Sequence, residues 1–267
     1  MKRLIDFYLT AMKFAVQKSF QYRLQSFFYL FTMFAEPVIY LVVWSTIAKQ
    51  QGGSVGGYTV GGFAAYYITW TLLRNMNVAR SPGDWEWRIQ HGSMSAELLR
   101  PIHPIHNDVT DFAGWKLVMI LMWLPIAALL ALIFKPTLHP TWFQILIFFF
   151  ADWGAYLIRT VLMSLLGMIT FWTTRVGAIY DLYFALELVL SGRLVPMPLM
   201  PTWVQHLANF LPFQWTFYFP INALTGSPTP AELVTGLGIQ LLWFLGGLGL
   251  VNLVWHYGIR RFSSVGN

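Results

Sequence analysis

The sequence predicts an all-α membrane protein. An N-terminal amphipathic elbow helix leads into six transmembrane helices, with a short cytoplasmic helix between spans 2 and 3 and a re-entrant or external helical hairpin between spans 5 and 6. Three observations carry this prediction. Hydrophobic residues make up 57% of the chain and charged residues only 10%, too few polar side chains to cover a soluble globule of 267 residues. The apolar residues gather into segments long enough to cross a hydrocarbon core of about 30 Å. Basic residues concentrate in alternate connections, as the positive-inside rule requires. No loop is long enough for a separate soluble domain, so 1–267 reads as one transmembrane domain, with 1–25 an interfacial helix, 80–111 an inner loop and 196–231 the hairpin. A net charge of +6 would suggest nucleic acid in a soluble protein, whereas here the basic residues read as topology determinants and no nucleic-acid partner is expected. The chain has no cysteine, which excludes disulfides and thiolate ligation of zinc or iron-sulfur clusters.

Residues 2 to 23 place Arg3, Asp6, Thr10, Lys13 and Gln17 at spacings of three and four, while Leu4, Ile5, Tyr8, Met12 and Ala15 take the other side. With Lys2, Arg3, Lys13, Lys18 and Arg23, this helix is expected to lie along the cytoplasmic face, apolar side in the acyl boundary and basic side toward anionic headgroups. A mitochondrial presequence is the competing reading, opposed by Asp6 and the direct run into a span. Charges run through the first 26 residues, so the first span is expected to direct its own insertion.

The spans follow at Phe27–Ala48, Thr59–Ala79, Phe112–Phe134, Trp142–Phe171, Gly177–Val195 and Leu233–Trp255. The QQGGSVGGY stretch after Lys49 reads as a flexible external turn, and Lys135–Pro140 as another. Residues 201–225 tempt a seventh span, but Pro212 and Pro220 cut them into pieces too short to cross. Six spans keep both termini and the 80–111 loop inside and leave only Lys49, Lys135 and Arg193 outside.

The longest polar interruption is WEWRIQHGSMSAELLRP, Trp85 to Pro101. Gly92 and Pro101 bracket Ser93–Arg100, room for about two helical turns. Ser93 or Ser95 can cap this helix, Glu97 suits its first turns and Arg100 its end, and Met94, Leu98 and Leu99 form an apolar knob on one side. It reads either as a solvated connector on the headgroups or as a plug for a partner protein. Five charges lie inside apolar segments: Glu36, Asp152, Arg159, Asp181 and Glu187. Each costs about 2.5 to 3.5 kcal/mol on insertion scales, so each should face protein or water. Asp152 and Arg159 share a helix face but stand about 10 Å apart along it, so Arg159 is expected to pair with Glu36 or Glu187. Such pairs either fix span order or line a route. Arg193, Pro196, Pro198 and Pro201 form a stiff external gate or a plain turn. His103 and His106 are spaced i, i+3, but Pro104 breaks the helix that would align them, and no metal is expected. The tryptophans Trp85, Trp87, Trp142, Trp203 and Trp215 fall near span ends, as an aromatic belt or, alternatively, a stacking platform for sugars.

The stretch IQHGSMSAELLRPIHP, Ile89 to Pro104, resembles the I..G....LLRP loop found in transmembrane subunits of type-2 ATP-binding-cassette exporters. SGRLVPMPLMPTWVQHLANFLPF, Ser191 to Phe213, resembles the proline-rich exit from span five in a bacterial branch of that family. The order of elements resembles the family over essentially the whole chain. The resemblance implies a non-catalytic permease in the bacterial cytoplasmic (inner) membrane, both termini cytoplasmic, dimerising with itself or with a related six-span permease. The chain has no G-x-x-x-x-G-K-[ST] phosphate loop, so ATP and Mg belong to separate ATPase subunits and no cofactor is expected here. In the family the short cytoplasmic helix docks on the ATPase; carried over, Ile89, Gly92, Met94, Glu97, Leu98, Leu99 and Arg100 make the contact. The cargo implied is amphipathic, lipid-like or drug-like and moves outward. An ion-gradient-driven transporter titrating Glu36, Asp181 or Glu187 is the alternative, although no inverted repeat is visible. A membrane scaffold or lipid-interacting enzyme is a further one, opposed by the lack of a His/Asp/Ser or metal constellation.

Overall fold

Several helix starts in this protein are written in its sequence as capping residues, and a computed structural model, which describes residues 2–21 and 23–262, places the elements. The described residues are largely helical, with a single pair of two-residue strands among them. Helix α1 spans Lys2–Gln21 and α2 spans Arg23–Gln50. The side chains of Lys2, Arg3, Leu4 and Arg23, on which part of the expected amphipathic pattern rests, lie outside the described residues. Strands β1 (Ser54–Val55) and β2 (Tyr58–Thr59) pair antiparallel across Gly56–Gly57, so the stretch expected to be a flexible turn is a minimal hairpin. Helix α3 (Val60–Met76) starts at the Thr59 cap, whose hydroxyl accepts from the Gly62 N–H.

Helix α4 (Pro82–Gln90) was not anticipated. Its signal is the run Ser81-Pro82-Gly83-Asp84, which forms a capping box with proline at the first helical position. Helix α5 is only Met94–Leu98, shorter than the expected Ser93–Arg100. Gly92 turns the chain between them at φ 70°, a backbone conformation open to glycine and strained for other residues. Helix α6 (Ile105–Phe134) begins two turns before the expected span. Helix α7 (Trp142–Met168), capped by Thr141 and Gln144, continues as a 3-10 turn through Phe171. Helix α8 ends at Leu190, five residues short of the expected Val195.

The proline-broken stretch forms α9 (Thr202–Asn209), α10 (Phe213–Thr216) and α11 (Tyr218–Thr225). The second break falls at Phe217, not at Pro220. Pro220 sits in the first turn of α11, where a missing N–H leaves no intrahelical bond unmade. Helix α12 (Pro230–Gly258) opens on a capping box of Thr229 and Glu232 and ends in a 3-10 turn to Arg261.

Among the described residues, three helical stretches are long and apolar enough to cross a membrane: Ile105–Phe134, Trp142–Phe171 and Pro230–Arg261. Helix α7 is central, flanked by α12, α11 and α4, while α2 packs on α3 and α3 on α6. Tyr66, Tyr67, Trp70, Leu41 and Phe217 make one apolar core, and Trp85, Met94, Met168, Phe171 and Val251 another. The N-terminal α1 lies along α6: Tyr8 Oη bonds to His106 Nδ1 at 2.7 Å, and Ala15 is buried. Its outer side is not purely basic, since Ile5, Leu9 and Phe14 are exposed beside Lys13 and Lys18. The expected apolar face is therefore divided, because α6 offers one more packing surface than a helix lying on lipid alone would have.

Gly167 of α7 is where α4 docks. A Cβ added there would stand 2.5 Å from both Cβ and Cγ of Trp85, so only hydrogen lets the indole close on the α7 backbone. Gly167→Ala should therefore lower stability by about 1 to 3 kcal/mol, measured as a fall in the thermal unfolding midpoint, while Gly238→Ala, at a site with open space, should leave the midpoint close to the native value.

Candidate functional site

The α4–α5 segment is fixed from beneath by one indole and one guanidinium. Trp85 is 0% exposed; it meets Trp255 of α12 edge-on, and Met94 of α5 joins the same cluster. One turn later, Arg88 lies over the Trp85 ring at 4.4 Å. Its guanidinium reaches both oxygens of Asp108 on α6, Nη2 to Oδ2 at 3.0 Å and Nη1 to Oδ1 at 3.3 Å, and Nη1 also donates to Glu97 Oε2 at 2.9 Å. Arg80 approaches Asp108 from the other side, Nε to Oδ1 at 2.5 Å, and bonds Asp111 at 3.0 Å. Asp108 is 1% exposed, so a buried carboxylate is answered by two arginines. Two further bonds tie α4 to the α7–α8 connection: Glu86 accepts from the Val176 N–H, and Gln90 donates to the Thr174 carbonyl. A single short segment thus touches α6, α7, α8 and α12.

The residues singled out in this loop divide by exposure. Met94 is buried, and Ile89 and Leu98 pack partly against the Trp85 cluster. Leu99 is 88% exposed and Arg100 is exposed. The single apolar knob expected of Met94, Leu98 and Leu99 is therefore split, because α5 is too short to carry all three on one face. Ser93 stands at the cap position without a capping bond; its hydroxyl donates to the Arg88 carbonyl at 3.4 Å. Glu97 serves Arg88 more than the dipole of a five-residue helix.

A second constellation joins α2, α3, α7 and α8. Glu36, at the middle of α2, meets Arg74 of α3 at 2.5 Å and stands 3.8 Å from Arg193. Glu187 of α8 contacts Arg159 of α7, one of the two pairings expected for that arginine, and lies 3.7 Å from Arg193. Five charges from α2, α3, α7, α8 and the segment after it thus form one chain. Arg193 is buried in this chain and not at an open mouth, since α8 stops early and the backbone turns inward there. Tyr66 and Tyr67 fix the turn by donating to the carbonyls of Gly192 and Leu194 at 2.7 and 3.0 Å. Pro196 is buried, and Pro198 and Pro201 are exposed. Asp152 stands apart from the chain, buried and coupled electrostatically to Lys116, whose ammonium donates to the Val78 carbonyl at 2.6 Å. Asp181 is exposed on α8. Arg74, Arg88, Asp108 and Trp85 were not picked out as site residues from sequence; the one local hint was the Trp85–Arg88 spacing of three on a capped helix.

The two loop histidines are engaged elsewhere. His106 bonds Tyr8, while His103 packs on Trp255 with centroids 4.3 Å apart and accepts from the Ile105 N–H through Nδ1.

Three helical stretches among the described residues, long and apolar enough to cross, in a chain that is largely helical, mark a multi-pass membrane protein. Residues 34–266 match the model of the ABC-2 family transporter protein, and the chain belongs to that family. It is accordingly a membrane transport component, and membership implies a partnership with ATP-binding-cassette ATPase subunits. Comparison with curated proteins returns no match.

Arg88→Met would strand Asp108 beside Arg80 alone and should cost about 3 to 5 kcal/mol, read in the unfolding midpoint; adding Asp108→Leu should recover part of that loss. Burial beside His106 pushes the His103 imidazole down to about 4 from its usual 6.5. The folded state thus holds fewer protons than the unfolded one, so this site's contribution to stability is full above pH 6.5 and shrinks as pH falls toward 4. A midpoint that drops across that window in the native chain, and drops less in His103→Gln, is the expected result.

Proposed function

We propose that this chain is the dimerising permease subunit of an exporter and that a separate ATPase drives it through the α4–α5 module. The observation that carries this reading is how the module is built. Trp85, Arg88 and Met94 anchor it to α6, α7 and α12, while Trp87, Leu99 and Arg100 are left exposed. A partner gripping the exposed residues would move the anchored helices as one lever.

On this reading α2, α3, α6, α7, α8 and α12 make six crossings, with the termini and α4–α5 in the cytoplasm. At about 21 Å, α8 is too short to cross alone. Residues 191–195 complete it as irregular backbone, which is tolerated at membrane depth where protein encloses it, as Tyr66 and Tyr67 do here. Asp181, exposed on α8, would be costly against lipid and favours cover by a second permease, whether a copy of this chain or a related one. ATP and Mg would be bound by the ATPase, and the membrane would be the bacterial inner one. Glu36 and Glu187 are both engaged by arginines, which supports an ATP-driven route over one that titrates acids. The cargo inferred is amphipathic and moves outward.

Leu99→Asp with Arg100→Glu alters only exposed positions. The pair should reduce recovery of the ATPase with a tagged permease by more than about tenfold while the permease still elutes as a single species. Full recovery of the ATPase, with transport intact, would remove the docking assignment.

A further inference from the structure

Between the end of α3, the middle of α7 and α8 lies a cavity of about 200 Å³, and three of its lining side chains are arginines: Arg74, Arg159 and Arg193. Two carboxylates answer them, Glu36 on Arg74 and Arg193, and Glu187 on Arg159 and Arg193. Three guanidinium groups against two carboxylates leave one positive charge over. Asp152 does not supply the missing charge, since it is coupled to Lys116. The excess falls on Arg193. It is 6% exposed, its Nε has no hydrogen-bond partner among the described residues, and its two carboxylate contacts, at 3.8 and 3.7 Å, are longer than those of Arg74 and Arg159. Phe184 and Phe217 pack over its guanidinium, which leaves little water to solvate it. A buried cation in this state is costly without a counter-charge.

We propose that this cavity binds one anionic group, a phosphate or carboxylate, carried by an amphipathic molecule. Arg193 and Arg74 hold the anion through charge-assisted bonds. Asn77 Oδ1, buried and also without a partner among the described residues, adds an acceptor for a hydroxyl beside it. The volume is below that of sites enclosing a whole drug-sized molecule, so the cavity takes a headgroup. The tail leaves past half-buried Tyr180 and exposed Phe184, the two lining residues on α8. The inference rests on the permease reading for why such a molecule is there, and it narrows the cargo to anionic amphiphiles.

The test is thermal unfolding of the full chain in a neutral maltoside detergent, with lysophosphatidic acid, lysophosphatidylcholine of the same chain length, or inorganic phosphate at matched ionic strength. At about a hundredfold excess over Kd, lysophosphatidic acid should raise the midpoint by about 5 °C and lysophosphatidylcholine should not. Arg193→Gln should abolish the shift. Phe184→Glu should abolish it too, by placing a carboxylate beside Arg193 from an exposed position, which keeps the test open if the first variant fails to fold. Equal shifts with both lipids, or a shift that survives Phe184→Glu, overturn the proposal. A full shift with inorganic phosphate alone keeps the anion site and overturns its assignment to a headgroup. Retained ATPase recovery without any lipid-dependent shift would sink this inference and leave the permease reading standing, whereas lost recovery with a normal shift would do the reverse.

Discussion

The buried pair of Arg88 and Asp108 is the constraint on which the polar end of this molecule depends. A carboxylate that is 1% exposed tolerates ionisation only while both arginines around it stay in place, so α4, α6 and the connection before α4 are held in one arrangement. Trp85 supplies the apolar half of the same lock, seated on the bare backbone of Gly167. Because the guanidinium that binds Asp108 also holds Glu97, the small helix α5 inherits its position from α6. A five-residue helix has too few internal bonds to stand alone. Here it is placed by charge and by Met94.

The second charge chain obeys the same rule. Each acid or base inside an apolar bundle must find a partner, and Glu36, Arg74, Arg159, Glu187 and Arg193 find one another across five elements. The early end of α8 follows from this. Continuing the helix to Val195 would carry Arg193 away from both carboxylates, whereas the turn at Gly192 brings it to them, with tyrosine hydroxyls taking up the carbonyls the helix gives up. The α4–α5 module and the chain of paired charges share α7, which carries Gly167 under Trp85 and Arg159 beside Glu187.

Much of the architecture was legible because its signals are local. Capping boxes at Thr141 and Thr229 start α7 and α12 where apolar runs begin, and Pro212 lies where the stretch before α12 first breaks. The polar interruption at Trp85–Pro101 is legible in composition alone. Missed features share a different cause. Helix α4 carries its own capping box at Ser81 and Asp84, a signal shorter than the glycine-to-proline interval after it. Pro220 misled because proline breaks a helix interior and is neutral in a first turn, and only the fold decides which of these it occupies. Leu99 and Met94 read alike as apolar residues five apart, but one is buried and the other bare.

What the sequence determined by itself was that the chain is helical, that it lives in a membrane and that a polar segment interrupts it, since hydrophobic length and capping chemistry act over one or two turns. It also supplied five charges inside apolar segments, each with a need for partners. Which charge met which was decided by tertiary structure, as was the inward turn that buries Arg193 and the division of the loop into anchored and exposed residues. Those choices depend on distances between segments up to about a hundred and fifty residues apart, Glu36 and Arg193 among them, and electrostatic pairing across such separations leaves no periodic mark in the chain.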